Sequence, residues 1–180
     1  MERETFFERI YEKHREEIKY LDVVNKRKIV ILFSSIPGAG KSTISDILEE
    51  YLKSVRFNAD KIRNYISQLD PSLPQDQVTE LKREYSYWFL KNILSNSPNG
   101  NVILDFSVDR SYEELLKELK KLSCDIVLIE LNAPLEVLQE RIKRRNPEGF
   151  EDYLKEMDRW SREHNLFVEN NAKDISLSLN

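Results

Sequence analysis

Cysteine, glycine, long apolar runs and excess positive charge are all scarce in this sequence. The single cysteine, Cys124, excludes an internal disulfide or a cysteine-rich zinc site and is expected to be a structural thiol at the start of a strand. The longest apolar runs, residues 29–33 and 126–129, are far below the roughly 20 residues that span a bilayer, so we expect no membrane insertion. With 28 basic and 32 acidic residues, the net charge of −4 provides no overall positive field for nucleic acid or anionic lipid.

Length and composition predict a globular protein with a single domain. The 180 residues, 40% of them apolar, suffice for a single domain with one core, and we expect one active site. The first residues alternate acidic and basic side chains, whereas a signal peptide needs a basic start followed by an apolar stretch. We therefore expect a cytoplasmic protein.

Helical and extended patterns alternate along the chain. Strands are predicted at residues 28–33, 55–58, 102–104, 126–131 and 166–168. Helices are predicted at residues 2–21, 42–53, 112–122 and 150–164, from Pro134 onward, and over 61–95 with a break near Pro71 and Pro74. Repeated strand–helix units of this kind predict an α/β fold, with a five-stranded parallel sheet, helices on both faces and an additional N-terminal helix.

Two of the only four glycines, Gly38 and Gly40, lie between the first predicted strand and the helix that follows. A loop at such a junction turns backbone N–H groups toward one point, and glycine lets phosphate oxygens approach the backbone closely. The pattern departs from G-x-x-x-x-G-K-S/T only at its first position, which is Ser35. We expect Lys41 to reach the β- and γ-phosphates of ATP, and Ser42 to hold Mg²⁺. The predicted nucleotide-binding residues are Ser35, Gly38, Ala39, Gly40, Lys41, Ser42 and Thr43.

Two classes of nucleotide hydrolase are not supported by the sequence. A GTPase switch needs D-x-x-G and N-K-x-D elements, and the nearest strings, residues 105–108 and 171–174, fit neither. A motor-type ATPase is expected to end its second phosphate-side strand in Asp-Glu, whereas Asp105 is followed by Phe106. Neither guanine specificity nor the activation of water is therefore indicated.

Asp60 and Arg63 follow the second predicted strand. The carboxyl ends of parallel strands share one crevice, so this position brings Asp60 near the γ-phosphate. A carboxylate there can accept the proton of an acceptor hydroxyl, and Arg63, one helical turn on, can clamp the acceptor. The alternative role for Asp60 is that of a helix N-cap.

Four segments together resemble the P-loop kinases related to polynucleotide 5′-hydroxyl kinase: residues 35–43, 60–63, 102–105 and 135–145. The resemblance spans about residues 28–170 and implies a P-loop NTPase fold, with a kinase domain over residues 28–180 and an N-terminal helical extension over 1–27. It also implies that Asp60 deprotonates the acceptor hydroxyl, that Arg63 positions the acceptor, and that Asp105 assists Mg²⁺ through water. The string 167–171 is similar to the last strand of such kinases.

The resemblance further implies an arginine lid over the transferring phosphoryl group. Arg141 and Arg145, one helical turn apart, are the preferred catalytic pair, and Arg144 is assigned to the nucleotide. Trp160, between Arg159 and Arg162, is a candidate to line the substrate cleft, although core or lid packing is the more common role. His14 and His164 show no spacing typical of a metal site and are expected at the surface or its boundary.

These observations predict a kinase that uses ATP and Mg²⁺ to phosphorylate a hydroxyl of a small molecule, a nucleoside or a nucleic-acid 5′-end. The acidic balance favours a small molecule, while a groove formed by Arg63, Lys82, Arg83 and Arg110 would suit an oligonucleotide end. The alternative is a nucleotide-dependent binding or regulatory protein with little turnover. The N-terminal helix is expected either to pack on the sheet edge or to mediate a homodimer.

Overall fold

A computed structural model describes residues 2–179, and a parallel five-stranded sheet forms its centre. The strands are β1 (Ile29–Ser35), β2 (Val55–Asn58), β3 (Asn101–Ser107), β4 (Asp125–Leu131) and β5 (Ile175–Leu179). Their spatial order is β2-β3-β1-β4-β5, and all four neighbouring pairs are parallel. The predicted fold class, an α/β fold with a five-stranded parallel sheet and an additional N-terminal helix, is confirmed.

Within residues 2–179, seven helices connect and cover these strands. They are α1 (Arg3–Arg15), α2 (Lys41–Leu52), α3 (Ala59–Leu69), α4 (Gln75–Asn96), α5 (Tyr112–Lys120), α6 (Leu135–Arg145) and α7 (Phe150–Asn171). The break predicted near Pro71 and Pro74 is confirmed, because it separates α3 from α4. Of the helices within the described residues, none is both long and apolar enough to cross a bilayer.

The apolar sequence of β1 is explained by burial on both faces of the sheet. Val30 and Leu32 belong to the larger buried cluster, which also includes residues of α1, α3, α4 and α5. Ile31 and Phe33 point to the opposite face and join a smaller cluster beneath α2. Alternate residues of a strand face opposite sides of a sheet, so a strand covered twice needs apolar side chains throughout. The polar residues of the site therefore begin where β1 ends.

The N-terminal helix packs on its own chain. Phe6, Phe7 and Ile10 of α1 are buried in the larger cluster, and α1 contacts both α3 and α4. The helix ends at Arg15, not near residue 21 as predicted, and turns follow it. Because the apolar face of α1 is already covered, a homodimer through this helix, which stays a prediction, would have to use its charged face.

The C-terminal part of the prediction is wrong in one element. Residues 166–168, predicted as a strand, lie inside α7, as do residues 167–171, and the fifth strand is β5. Phe167 occupies the buried face of α7, and its ring lies 5.3 Å from that of Tyr112 in an edge-on arrangement. Tertiary packing on one helical face thus outweighs the strand preference of three consecutive apolar residues.

Candidate active site

A cavity of about 730 Å³ lies at the carboxyl ends of the strands, where β1, β2 and β3 lead into their helices. It brings together nine of the residues predicted for the site, from four separate segments of the chain. They are Ser35, Gly38, Gly40, Lys41, Ser42, Asp60, Arg63, Asp105 and Arg145. Four predicted residues are not among its lining: Ala39, Thr43, Arg141 and Arg144.

The loop between β1 and α2 depends on two glycines in the left-handed region. Gly38 has φ of +88° and Gly40 has φ of +102°, both unfavourable for other residues. A Cβ on Gly38 would lie 3.2 Å from the Leu138 carbonyl oxygen and 3.3 Å from a side-chain carbon of Ile142. The same loop therefore packs closely on α6, which explains why glycine is retained here in a glycine-poor chain.

Lys41, the first residue of α2, extends back across the loop. Its ammonium donates a hydrogen bond to the hydroxyl of Ser35, with Nζ and Oγ 2.9 Å apart. Ser35 is itself buried, so the serine at the first position of the loop gives the lysine a fixed partner. Burial lowers the pKa of Lys41, while the carboxylates of Asp105, Asp109 and Asp60 act to raise it. The ammonium of Lys41 is thus buried in a cleft with three acidic side chains nearby.

Ser42 and Asp105 form the part of the site suited to a metal ion. The Ser42 hydroxyl donates to Oδ1 of Asp105 across 3.5 Å, and the Asp105 side chain is 3% exposed. A serine hydroxyl and a carboxylate are hard oxygen donors of the type Mg²⁺ prefers, with phosphate oxygens and water completing its shell. Among residues 2–179 there is no group of three or more histidine, cysteine or acidic side chains that could hold a metal by themselves. This pair fits Mg²⁺ brought in with a nucleotide.

Arg56 is a site residue that the sequence analysis missed. Its guanidinium binds Oδ2 of Asp105 through Nε at 3.2 Å and through Nη2, and Nη1 contacts Asp46 and Glu49 of α2. The Arg56 side chain is only 12% exposed. The sequence did contain one indication of this role: Arg56 lies in a short strand between two buried apolar residues, Val55 and Phe57. Its partners, however, are far away along the chain.

Asp60 and Arg63 lie together at the start of α3. A hydrogen bond of 2.7 Å joins Arg63 Nη1 to Asp60 Oδ1, and the Asp60 side chain is 86% exposed. The helix is capped by Asn58, whose Oδ1 accepts from the backbone N–H groups of Asp60 and Lys61. The alternative that Asp60 is the N-cap is therefore wrong, and its carboxylate is available to the cavity.

The four basic residues proposed for an oligonucleotide groove all line the cavity, but three are already paired with acidic side chains, Arg63 with Asp60 as described above. Arg83 lies 3.8 Å from Glu114, and Arg110 binds Glu163 with Nε and Oε2 2.8 Å apart. Lys82 is buried, with its ammonium 4.6 Å above the centre of the Phe106 ring.

The three arginines near the end of α6 have different surroundings. Arg145 lines the cavity, and its charge acts on Lys41. Arg141 instead donates from Nη1 to the carbonyl oxygen of Gly38 at 3.2 Å, on the phosphate loop itself. Arg144 is exposed on the helix surface and makes no contact with the cavity. We predicted that Arg141 and Arg145 act together. In the structure Arg141 contacts the phosphate loop, whereas Arg145 lines the cavity.

Helix α7 forms one wall of the cavity. Trp160 and Tyr153 both line it, with their rings 5.6 Å apart and edge-on. His164, also on α7, is buried: Nδ1 lies 3.1 Å from the Ser34 hydroxyl and 3.0 Å from Asp109 Oδ2. The prediction that His164 is a surface or boundary residue is therefore wrong, because it joins α7 to the end of β1.

The chain is similar to known proteins both in sequence and in structure. The sequence model of a family described as AAA domain matches residues 31–171. An adenylyl-sulfate kinase of Picosynechococcus sp. is 30% identical over 120 residues, which cover 64% of each of the two chains. A probable adenylyl-sulfate kinase of Synechocystis sp. is 26% identical over 123 residues, covering 66% of each. The chain thus spans just under two thirds of the length of the curated relatives it matches.

Solved structures with low sequence identity share the fold. A structure from the PezAT chromosomal toxin–antitoxin system of Streptococcus pneumoniae has a TM-score of 0.71 and 15% identity, covering 98% of this chain and 78% of the other. A putative kinase from Chloroflexus aurantiacus has a TM-score of 0.56 and 19% identity, covering 69% and 71%. A deoxyadenosine kinase from M. mycoides has a TM-score of 0.50 and 18% identity, covering 84% and 89%.

Proposed function

The chain belongs to the AAA-domain family of P-loop proteins, and from this we propose that it is a kinase that transfers the γ-phosphoryl group of ATP to a hydroxyl. The coarser assignment, a P-loop protein of the kinase group, agrees with its curated relatives and structural neighbours. The narrower resemblance to polynucleotide 5′-hydroxyl kinase stays a prediction. So do the cytoplasmic location and the division into a 27-residue extension and a kinase domain.

The observation that carries the proposal is the arrangement of two kinds of residue around one cavity. Lys41 and Ser42 lie on its phosphate-loop side, and Asp60 with Arg63 lies on the side formed by α3. A motor-type ATPase is expected to carry a glutamate that activates water directly after the metal carboxylate, yet Asp105 is followed by the apolar Phe106. An exposed carboxylate on a separate helix is better suited to an acceptor that enters from solvent.

Each of these cavity residues has a role in the transfer of the phosphoryl group. Asp60 accepts the proton of the acceptor hydroxyl, the hydroxyl oxygen bonds to the γ-phosphorus, and the bond from that phosphorus to the bridging oxygen of ADP breaks. Lys41 and Arg145 place positive charge on the transferring group, where charge grows in the transition state. Mg²⁺, held through Ser42 and Asp105, would neutralise the β- and γ-phosphates. Arg63 holds the base at the start of α3.

The acceptor is proposed at the level of its reacting group: a hydroxyl of a small molecule, a nucleoside or a nucleic-acid 5′-end. Curated relatives carry the name adenylyl-sulfate kinase, so adenylyl sulfate belongs among the compounds to be tested. The alternative function, a nucleotide-dependent binding protein with little turnover, is tested by the same assay.

The experiment incubates the protein with Mg²⁺ and γ-labelled ATP against adenylyl sulfate, nucleosides, 5′-hydroxyl DNA and RNA oligonucleotides, and a metabolite extract. Lys41→Ala should reduce label transfer by roughly 10²-fold or more, because it removes the cation on the developing phosphoryl charge. Lys120→Ala, an exposed lysine on α5, is the matched control and should retain full transfer. Transfer undiminished in Lys41→Ala contradicts the proposal, and ATP binding without any labelled acceptor favours the regulatory alternative.

A further inference from the structure

Lys82 is a buried cation in the cavity that the reaction described above does not use. It lies on α4 with 8% of its surface exposed, and its ammonium is in contact with the face of the Phe106 ring. Within residues 2–179, no carboxylate lies within 4 Å of this ammonium. A buried ammonium is costly unless a negative group accompanies it, so its position needs an explanation.

Arg63 has an unused donor on the same side of the cavity. Its Nη1 is bound to Asp60, but its Nε is buried and has no hydrogen-bond partner. Arg83, the other cation acting on Lys82, is only loosely paired, since its Nη1 lies 3.8 Å from Glu114. The exposed carboxylates of Asp76 and Glu80 line the cavity without pairing with Lys82. Within the described part of the chain, Lys82 and Arg63 therefore both retain hydrogen-bond donors without a partner, close to the proposed base Asp60.

The corner of the cavity formed by Lys82, Arg63 and Arg83 is strongly positive, and this affects the pKa of Lys82. The pKa of Lys82 is lowered to about 8, mainly by burial and also by the charges of Arg63 and Arg83, while the charge of Asp60 acts to raise it. An anion placed between Lys82 and Arg63 would reverse this effect, because it stabilises the charged ammonium and satisfies the free donors. The corner is thus arranged for a negatively charged group that arrives with a ligand.

We infer that Lys82 and the Nε of Arg63 bind an oxyanion carried by the phosphoryl acceptor, so that the acceptor is a small anionic alcohol bearing phosphate, sulfate or carboxylate. This inference rests on the proposed kinase function and specifies its substrate class. The oxyanion holds one end of the acceptor at Lys82, and the hydroxyl at the other end reaches Asp60. Two fixed points orient a small molecule for in-line attack, which a single contact cannot do.

The first test measures acceptor kinetics. A metabolite extract is divided by anion exchange into neutral and anionic fractions, and each is assayed with γ-labelled ATP alongside 5′-hydroxyl oligonucleotides. We expect label in the anionic fraction. With the compound so identified, Lys82→Met should raise its KM by roughly 10- to 100-fold, with the ATP Kd unchanged, because charge-assisted hydrogen bonds are lost.

Two further variants make this test specific. Lys82→Arg should retain most of the acceptor affinity, since arginine also binds oxyanions, whereas a lysine that acted as a base would not be replaced by it. Lys91→Met, an exposed lysine on the same helix, is the matched control and should leave KM unchanged. Label confined to a neutral alcohol or an oligonucleotide, with KM unaffected by Lys82→Met, overturns the inference but leaves the kinase function intact.

The second test does not depend on turnover. The wild-type chain, with ¹³C-labelled lysine and saturated with Mg²⁺ and a non-hydrolysable ATP analogue, is titrated with sodium phosphate, sulfate or acetate against sodium chloride at equal ionic strength. The Lys82 signal is assigned by its absence in Lys82→Met or, should that variant not fold, in Lys82→Arg. A raised pKa of Lys82 with one of the three anions, but not with chloride, supports the site even if no kinase acceptor is found. An unchanged pKa with all three overturns the inference.

Discussion

Arg56 binds one oxygen of the Asp105 carboxylate and leaves the other to the Ser42 hydroxyl. Nε and Nη2 of Arg56 both donate to Oδ2, whereas Oδ1 lies 3.5 Å from the Ser42 hydroxyl. A buried carboxylate needs compensation for its lost hydration, and the guanidinium supplies it without covering the oxygen that faces the metal side of the site. Arg56 thus positions Asp105 and joins β2 to α2.

Replacement of Arg56 by glutamine should therefore destabilise the fold. The change leaves the Asp105 carboxylate buried and without its cation, and loss of one partner of a buried pair costs about 3–5 kcal/mol. Urea denaturation measures the free energy of unfolding. The Arg56→Gln/Asp105→Asn double variant should recover part of the loss, because the uncompensated charge is then removed.

The matched control is Lys19→Gln, which breaks the exposed ion pair between Lys19 and Glu50 at 2.8 Å. Because water and salt screen such a pair, its loss should change the unfolding free energy far less. Equal effects of Arg56→Gln and Lys19→Gln would contradict the positioning role.

Asp60→Asn should lower kcat by roughly 10²–10⁴-fold and leave the ATP Kd nearly unchanged. The amide keeps the shape of the side chain and its place beside Arg63, but it cannot accept the acceptor's proton. Steady-state kinetics and ATP titration on the same preparation separate the two quantities. Loss of ATP binding would instead identify Asp60 as a metal-binding or structural residue.

Glu118→Gln provides the control for that variant. Glu118 also forms an exposed i,i+3 ion pair, with Lys121 at 2.6 Å, but it lies on α5 outside the cavity. Its kcat should equal that of the wild type, so that a loss in Asp60→Asn alone cannot be attributed to a broken surface pair.

The three arginines of α6 should differ in their effects when replaced by alanine. Arg145→Ala should lower kcat by roughly 10²–10³-fold, because the residue lines the cavity and its charge reaches the position of Lys41. Arg141→Ala should weaken ATP binding through the loss of its bond to the Gly38 carbonyl. Arg144→Ala, at a neighbouring exposed position, should behave as wild type. A larger loss of kcat in Arg144→Ala than in Arg145→Ala would contradict this assignment.

Local patterns made the fold and the phosphate loop predictable from the sequence. The uniformly apolar β1 and the two glycines after it are adjacent in sequence, and the strand–loop–helix unit is complete within residues 29–52. The strand predicted at 166–168 failed because the burial of Phe167 against Tyr112 is decided by packing between distant segments.

The same distinction applies within the site. Asp60 and Arg63 could be paired from their spacing on one helix. The pairing of Arg56 with Asp105 joins residues 49 positions apart, and it depends on the parallel register that sets Asn58 beside Asp105. The free donors of Lys82 and Arg63 could not be recognised before the structure showed which of the basic residues already have acidic partners.

The buried His14 makes the stability of the fold sensitive to mild acid. Its ring lies 4.8 Å from that of Phe89, and Nδ1 is 3.4 Å from the Tyr85 hydroxyl, so our prediction of a position at the surface or its boundary is wrong. Burial lowers the pKa of His14 from 6.5 to about 4. Below pH 6.5 the unfolded chain binds a proton that the folded chain refuses until about pH 4, so stability falls as the pH drops through this range.

From pH 6.5 to about pH 5 the expected loss from this one residue is roughly 1.5 kcal/mol. The measurement compares urea denaturation of the wild type and of His14→Phe at several pH values in that interval. The variant keeps an aromatic ring in the cluster but has nothing to protonate, so the difference in unfolding free energy between the two proteins should change with pH in its favour on the acidic side. Because His164 and the carboxylates are common to both chains, their titration cancels in the difference. A difference that stays constant across the interval would mean that folded His14 accepts its proton as readily as the unfolded chain does.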